Sequence, residues 1–144
     1  MNKPEYVSTQ EVQRVCQELG LRDWTQLGEI RISLEEAKLI QQAVGGEAEQ
    51  ISSVDFQQGL QIELEHGAQF PDANVTNNHP LLTGMIVLAH LKEMLDYYTR
   101  LAVAEIEGDL LKAFRANNPE KMIQKYSLLL QARAELIAKE IEKS

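Results

Sequence analysis

The sequence has little that would tie it to a membrane, to nucleic acid or to an oxidising compartment. Its single cysteine, Cys16, excludes an intramolecular disulfide and a cysteine-rich zinc site. No apolar run approaches the roughly 20 residues that span a bilayer, and no apolar segment follows Lys3 as in a secretory signal. Acidic residues outnumber basic ones by 22 to 14, for a net charge of −8, which disfavours phosphate backbones and anionic lipid. We therefore expect a cytoplasmic protein without a nucleic-acid or membrane partner.

Length and apolar content favour one domain with a real core. The chain has 144 residues, of which 44% are hydrophobic, an ordinary value for a globular protein. Helical spacing of the apolar residues predicts an all-α fold throughout. We expect a single domain, residues 1–144, in which a small helical cap (1–50) packs on a helical bundle core (51–144). Cys16 falls within a helical pattern and is expected to be a buried, inert thiol.

Two short helices of the cap repeat one pattern. Each begins with a Ser-x-x-Glu capping box, at Ser8 and at Ser33. Each ends at a glycine suited to the left-handed conformation, Gly20 and Gly45. Between them, residues 29–32 alternate in a way that predicts a brief extended piece.

A third helix is predicted over residues 54–66, ending at Gly67 and followed by a polar loop over 68–78. At about 100° per residue, Glu63 and His66 fall on the apolar face of this helix. A buried carboxylate without a partner is costly, because it loses its hydration. Glu63 therefore needs a cation, a hydrogen-bond donor or a metal.

Two longer helices complete the predicted fold. The first is expected over residues 80–115 and the second over 119–143, and the short turn at 117–118 makes them an antiparallel hairpin. Because the last helix is the shorter one, it does not reach the start of its partner, where the third helix is expected to pack. The predicted apolar face of the last helix contains Met122, Tyr126, Leu129, Leu130, Leu136, Ile137 and Ile141. Arg133 on this face is expected to pair with Glu105.

The long helix carries His90 and Glu93 three residues apart on its packing face, as the third helix carries Glu63 and His66. Imidazole and carboxylate at this spacing can ligate one metal from two helices. The sequence predicts a transition-metal site for iron, manganese or zinc, with Glu63, His66, His90 and Glu93 as ligands and Tyr97 behind them. No organic cofactor is indicated, and whether the protein is an enzyme stays open.

A structural interpretation stands beside the metal site. Glu63 can pair with His90 in a buried hydrogen-bond network, while His66 meets the dipole at its helix terminus. The protein would then be a non-enzymatic interaction or assembly module whose amphipathic hairpin self-associates into a homo-oligomer. Three nearby polar residues are expected on the surface: Glu65, Asp96 and His79, the last of them also a candidate helix cap.

The chain also resembles a family of small uncharacterised bacterial and phage proteins over residues 33–105. The string that carries the resemblance is Gly59-x-x-x-Glu63-Leu64-Glu65-His66-Gly67, then Val75-Thr76, Pro80, Thr83-Gly84, and Ala89-His90-Leu91-x-Glu93 with Asp96-Tyr97-Tyr98-x-x-Leu101. The resemblance implies a shared importance of these positions, and it implies no particular activity.

Overall fold

The structure of the protein is a computed structural model, which describes residues 6–142. These residues contain helices and no strand, which confirms the all-α fold. The chain divides between Lys92 and Glu93 into two compact units; the single domain stays a prediction. Among the helices described, none has both the length and the apolar content that a bilayer crossing requires.

In its described part, from residue 6 onward, the first unit contains four α-helices and one short 3₁₀-helix. They are α1 (Thr9–Leu19), α2 (Leu34–Val44), the 3₁₀-helix (Gly46–Gln50), α3 (Ser53–Gln69) and α4 (Pro80–Glu93), whose last residue lies at the division. The second unit contains α5 (Tyr97–Arg115) and α6 (Pro119–Glu142). The predicted end of the last helix at Lys143 lies outside the described residues.

The predicted serine caps of α1 and α2 are confirmed, whereas the full capping box is found at Ser33 and not at Ser8. The Ser8 hydroxyl accepts a hydrogen bond from the Glu11 amide at 3.2 Å, and the Ser33 hydroxyl accepts one from the Glu36 amide at 3.1 Å. At Ser33 the box is complete, because the Glu36 carboxylate accepts from the Ser33 amide in return. In α1 the Glu11 carboxylate pairs with Arg14 at 2.7 Å. Both helices end at a glycine with positive φ, but only Gly20 has the predicted left-handed conformation, since Gly45 has a ψ of −168°.

The segment between α1 and α2 is held by two glutamines of α3. The Gln61 amide donates to the Ile30 carbonyl at 2.6 Å, and its oxygen accepts from the Ile32 amide at 2.8 Å. Gln57 donates to the Ile32 carbonyl at 2.8 Å. Side-chain amides thus replace the neighbouring strand that an extended backbone would otherwise need. The extended piece predicted from the alternating pattern forms no strand.

The core of the first unit is apolar, and α4 comes very close to α2 within it. A methyl group added at Gly84 would lie 2.8 Å from Val44 Cγ2 and 3.0 Å from Ile40 Cγ2, so only glycine permits this approach. Cys16 is buried as expected, and burial raises the pKa of its thiol. The buried side chains of the first unit include Val12, Val15, Cys16, Trp24, Ile32, Ala37, Ile40, Phe56, Leu60, Leu64 and Val87.

The expectation of one continuous helix over residues 80–115 is wrong, because residues 94–96 form a turn between α4 and α5. The Tyr97 amide donates to the Met94 carbonyl at 3.0 Å, which closes this turn. The Asp96 carboxylate then binds the Arg100 guanidinium at 2.9 Å at the start of α5. Asp96 is buried, so its expected surface position is also wrong, whereas its pairing with Arg100 follows the i,i+4 rule.

The second unit is the predicted antiparallel hairpin. Asn117 adopts a positive φ in the turn, and the Asn118 side chain caps α6 by accepting from the Lys121 amide at 3.0 Å. Ion pairs join the helices, among them Lys125 with Asp109 and Arg100 with Glu140 at 2.7 Å each.

Two predictions for the last helix are corrected by the hairpin. Arg133 pairs with Glu107 at 2.9 Å and not with Glu105, and it is half exposed. Two residues along a helix turn the side chain by about 200°, so the sequence count chose the wrong face. The predicted apolar face is also divided, since Leu129 is buried while Leu130 beside it is exposed.

Candidate functional site

The candidate site begins with a carboxylate and an imidazole that α3 and α4 bring together. Glu63 Oε1 lies 3.2 Å from His90 Nδ1, within reach of an N–H···O hydrogen bond. The Glu63 side chain is 17% exposed and that of His90 is 31% exposed. The two helices therefore meet at this pair, as the hydrophobic patterns of the sequence predict.

A cavity of about 340 Å³ lies beside this pair. Its walls come from the end of α3, the loop that follows it, and the first half of α4. The lining residues are Glu63, His66, Gly67, Phe70, Ala73, Asn74, Val75, Thr76, Thr83 and Ile86. Glu63 is the one Asp, Glu, Lys or Arg among these ten residues. The lining therefore combines a carboxylate, several neutral polar groups and an apolar wall.

Asparagine side chains fix the loop that closes the cavity. The Asn74 amide donates to Asn78 Oδ1 at 2.7 Å and to the Gly67 carbonyl at 3.2 Å. The Thr76 hydroxyl donates to Asn74 Oδ1 at 3.1 Å. Asn77 and Asn78 both have positive φ, a conformation that asparagine tolerates better than most residues. The loop is thus a hydrogen-bonded wall of the cavity.

Gly67 allows this wall to approach α3. The helix continues to Gln69, so the expectation that it ends at Gly67 is wrong. A methyl group at Gly67 would lie 2.1 Å from Asn78 Oδ1 and 3.0 Å from Asn74 Nδ2. The glycine therefore serves a close contact between helix and loop, and not a left-handed helix end.

The other two histidines have different positions. His66 lies in the last turn of α3 and lines the cavity. His79 caps α4, because its Nδ1 accepts from the Leu82 amide at 3.4 Å, and its Nε2 lies 3.8 Å from Glu11 Oε1. The cap predicted for His79 is confirmed, and the surface position is wrong, since the residue is 7% exposed.

The predicted metal ligands are brought together in part. Glu63 and His90 are in contact and His66 shares the cavity with Glu63, whereas Glu93 and Tyr97 belong to the second unit. Within residues 6–142, no three His, Cys, Asp or Glu side chains form a group that could hold a metal ion. The four-ligand site therefore stays a prediction.

Of the residues that line the cavity, the sequence assigned a chemical role to Glu63 and His66 only. Thr76 and Thr83 belong to the string that carries the family resemblance but had no role assigned, and Asn74 was missed. The Asn77-Asn78 dipeptide was a usable signal, because adjacent asparagines are typical of tight, structured turns. Glu65, by contrast, lies on the surface as expected and accepts a hydrogen bond from Gln61 at 2.6 Å.

A sequence profile described as "Protein of unknown function (DUF5661)" matches residues 12–107. The chain belongs to the DUF5661 family. The match confirms the expected membership of an uncharacterised family, and it includes every residue that lines the cavity. It stops within α5, so the whole of α6 lies beyond the part shared with DUF5661. No curated protein and no solved structure matches the chain.

Proposed function

We propose that this protein binds a small organic cation in the cavity, with the Glu63 carboxylate as its counter-charge. The observation that carries the proposal is the composition of the lining, in which one carboxylate is accompanied by no lysine or arginine. A carboxylate that is only 17% exposed interacts with a nearby cation more strongly than one in bulk water, because less solvent screens it. The same carboxylate would repel an anionic ligand.

The shape and polarity of the cavity favour an organic ligand with an apolar part. A volume of about 340 Å³ lies near the lower end of the range for small-molecule sites, roughly 300–1,000 Å³. Phe70, Val75 and Ile86 supply apolar wall, and Phe70 and Val75 are themselves exposed at the surface. Asn74 and Thr76 add neutral hydrogen-bonding groups. A primary ammonium joined to a small apolar group matches this lining.

His90 has a supporting part in this proposal. It does not line the cavity, and its Nδ1 reaches Glu63 Oε1 at 3.2 Å. An imidazole N–H that donates to one carboxylate oxygen fixes the orientation of the whole group. His90→Ala should weaken cation binding, and His90→Gln, which can donate to the same oxygen, should restore part of it.

Three probes that share a phenyl ring and differ in charge test the proposal. Benzylamine, benzyl alcohol and benzoate carry a positive, a neutral and a negative group at neutral pH. Titrated into the full chain and followed by backbone amide NMR, benzylamine should shift resonances of residues 63–67 and 74–76. A ligand this small is expected to bind with a Kd on the order of 1 mM. Benzyl alcohol should bind more weakly, and benzoate should not bind at this cavity.

Matched variants give the test its control. Glu63→Gln should weaken benzylamine binding about tenfold, equivalent to about 1.4 kcal/mol, and remove the preference over benzyl alcohol. Glu65→Gln, two residues along the same helix and exposed, should leave binding unchanged. Equal binding of all three probes, or an equal effect of both substitutions, would overturn the proposal.

A transition-metal site is the second candidate, and the contact between Glu63 and His90 favours it. Carboxylate oxygen and imidazole nitrogen are both ligand atoms for iron, manganese and zinc, and His66 lines the same cavity. Zn²⁺ added to protein purified without a histidine tag distinguishes the two candidates. Stoichiometric Zn²⁺ binding that is lost in both Glu63→Gln and His90→Ala would indicate that the ligand is a metal ion and not an organic cation.

A further inference from the structure

The α6 helix has two apolar faces, and only one of them is buried. Leu129 and Ala132 are buried. Ile123, Leu130 and Ile137 are spaced by seven residues, which places them in one line along the other side of the helix. A seven-residue repeat of large aliphatic residues is the pattern by which one helix packs along another.

Further exposed side chains widen this line into a larger apolar surface, which we call the α6 face. Its members on α6 are Ile123, Tyr126, Leu130, Ile137 and Ile141, each between 51% and 73% exposed. Leu111 and Phe114 of α5 adjoin it near the turn of the hairpin, where a groove of about 530 Å³ runs between the two helices. The groove is lined almost wholly by apolar side chains.

The area of this surface is closer to that of one side of a protein interface than to that of an apolar patch on a monomer. With about 100 Å² exposed by each of seven large side chains, the surface is on the order of 700 Å². The largest apolar patch of a typical monomer is roughly 300–600 Å². Each partner in a standard interface buries about 800 Å². The α6 face and its neighbours on α5 therefore nearly supply one side of a stable dimer.

Charge points to a second copy of the chain as the occupant. Residues 1–92 contain 13 acidic and 6 basic residues, a net charge of −7, whereas residues 93–144 contain nine acidic and eight basic residues, a net charge of −1. Two hairpins can therefore approach with little repulsion. No charged residue occurs from Tyr126 to Ala132, and the nearby Lys125 and Arg133 are paired with α5 carboxylates.

We propose that a second copy of this chain covers the α6 face, with α6 packed on α6 about a two-fold axis. Two hairpins joined in this way form a four-helix bundle, and the seven-residue spacing predicts a crossing angle near 20°. The same surface on both partners meets itself, as a two-fold interface requires. The inference goes beyond the proposed cation site, since it uses only residues of the second unit.

Sedimentation of the full chain tests the proposal. At roughly 50 µM the protein should sediment at twice its mass of 16.3 kDa. Ile137→Lys should give a monomer with an unchanged circular dichroism spectrum. Val54→Lys, which changes a similarly exposed aliphatic residue of the first unit, should leave the dimer intact. A monomeric wild type, or a dimer that survives Ile137→Lys, would overturn the proposal.

A cross-linking variant covers the case in which Ile137→Lys does not fold. Leu130 lies near the middle of the α6 face, so a two-fold axis brings it close to its counterpart in either helix direction. Leu130→Cys should form a disulfide-linked dimer under mild oxidation, while Val54→Cys should not. The native Cys16 is buried and does not interfere. Failure of Leu130→Cys to cross-link would contradict the α6-on-α6 arrangement.

Discussion

Replacing Gly67 with alanine should have two opposing effects on the stability of the protein, each of known size. Gly67 lies inside α3, where alanine in place of glycine normally stabilises a helix by about 1 kcal/mol. The new methyl group, however, would lie 2.1 Å from Asn78 Oδ1. No side chain is accommodated at that distance, so Asn78 must move.

The expected loss of stability follows from the hydrogen bonds that depend on Asn78. Its Oδ1 accepts the 2.7 Å hydrogen bond from Asn74, and Asn74 in turn binds the Gly67 carbonyl. Each lost hydrogen bond costs about 1 kcal/mol, and a part-buried amide left without a partner costs about 1–3 kcal/mol. Asn78 also has a φ of 55°, which leaves its backbone few alternatives. We expect Gly67→Ala to destabilise the protein by about 1–2 kcal/mol after the helix gain is subtracted.

Urea denaturation measures this difference. Fluorescence of Trp24, the sole tryptophan and a buried residue of the first unit, reports unfolding around the substitution. Gly108→Ala is the matched control, because Gly108 lies inside α5 and its added methyl group meets no atom within 4 Å. Followed by far-UV circular dichroism, this variant should be stabilised by about 1 kcal/mol.

A second substitution tests whether the clash with Asn78 causes the destabilisation by Gly67→Ala. Asn78→Gly removes the clashing oxygen and suits the positive φ, so in that background Gly67→Ala should lose most of its cost. If Gly67→Ala stabilises the wild type as Gly108→Ala does, the close approach of the loop is refuted. A full cost that persists in the Asn78→Gly background would refute it as well.

Two further substitutions test the packing and the electrostatics of the first unit. Gly84→Ala should destabilise by about 1–2 kcal/mol in the same urea assay, because overpacking against Val44 and Ile40 exceeds the helix gain; a stabilised variant would contradict this contact. Burial pushes the pKa of Glu36 upward, but the Arg22 guanidinium and the Ser33 amide outweigh it and hold that pKa below its usual value. The ionised carboxylate therefore stabilises the fold above about pH 4.5, and this contribution is lost as the pH falls through the lowered pKa. Wild type should exceed Glu36→Gln in stability by about 1 kcal/mol at pH 7 and lose the advantage in acid; a pH-independent difference would contradict the assignment.

Local signals predicted local features of the fold. The serine caps of α1 and α2 and the left-handed glycine at the end of α1 depend on neighbouring residues only, and the structure confirms them. The turn at residues 94–96 had no such signal, because Met94, Leu95 and Asp96 include no glycine or proline and the helical pattern runs through them. The Asp96–Arg100 pair at the start of α5 is local too, but an i,i+4 pair suits a continuous helix as well as a helix start, so it gave no sign of the turn.

For the candidate site, periodicity predicted the contact and missed the cavity. Helical spacing placed Glu63 and His90 on facing sides, and their 3.2 Å separation follows from that. The cavity depends on how the loop folds back over Gly67, which is set by asparagine hydrogen bonds between residues 67 and 78. Such a loop has no repeating hydrophobic pattern, so its position against Gly67 could not be predicted from the sequence.

A crystal structure of the full chain with benzylamine is the most direct test of the cation site. The ammonium group should lie at about 3 Å from a Glu63 carboxylate oxygen, with the ring against Phe70, Val75 and Ile86. His90 should keep its contact with the same carboxylate. Benzylamine bound elsewhere while the cavity stays empty, or a ring seated with its ammonium group turned away from Glu63, would contradict the proposed cation site.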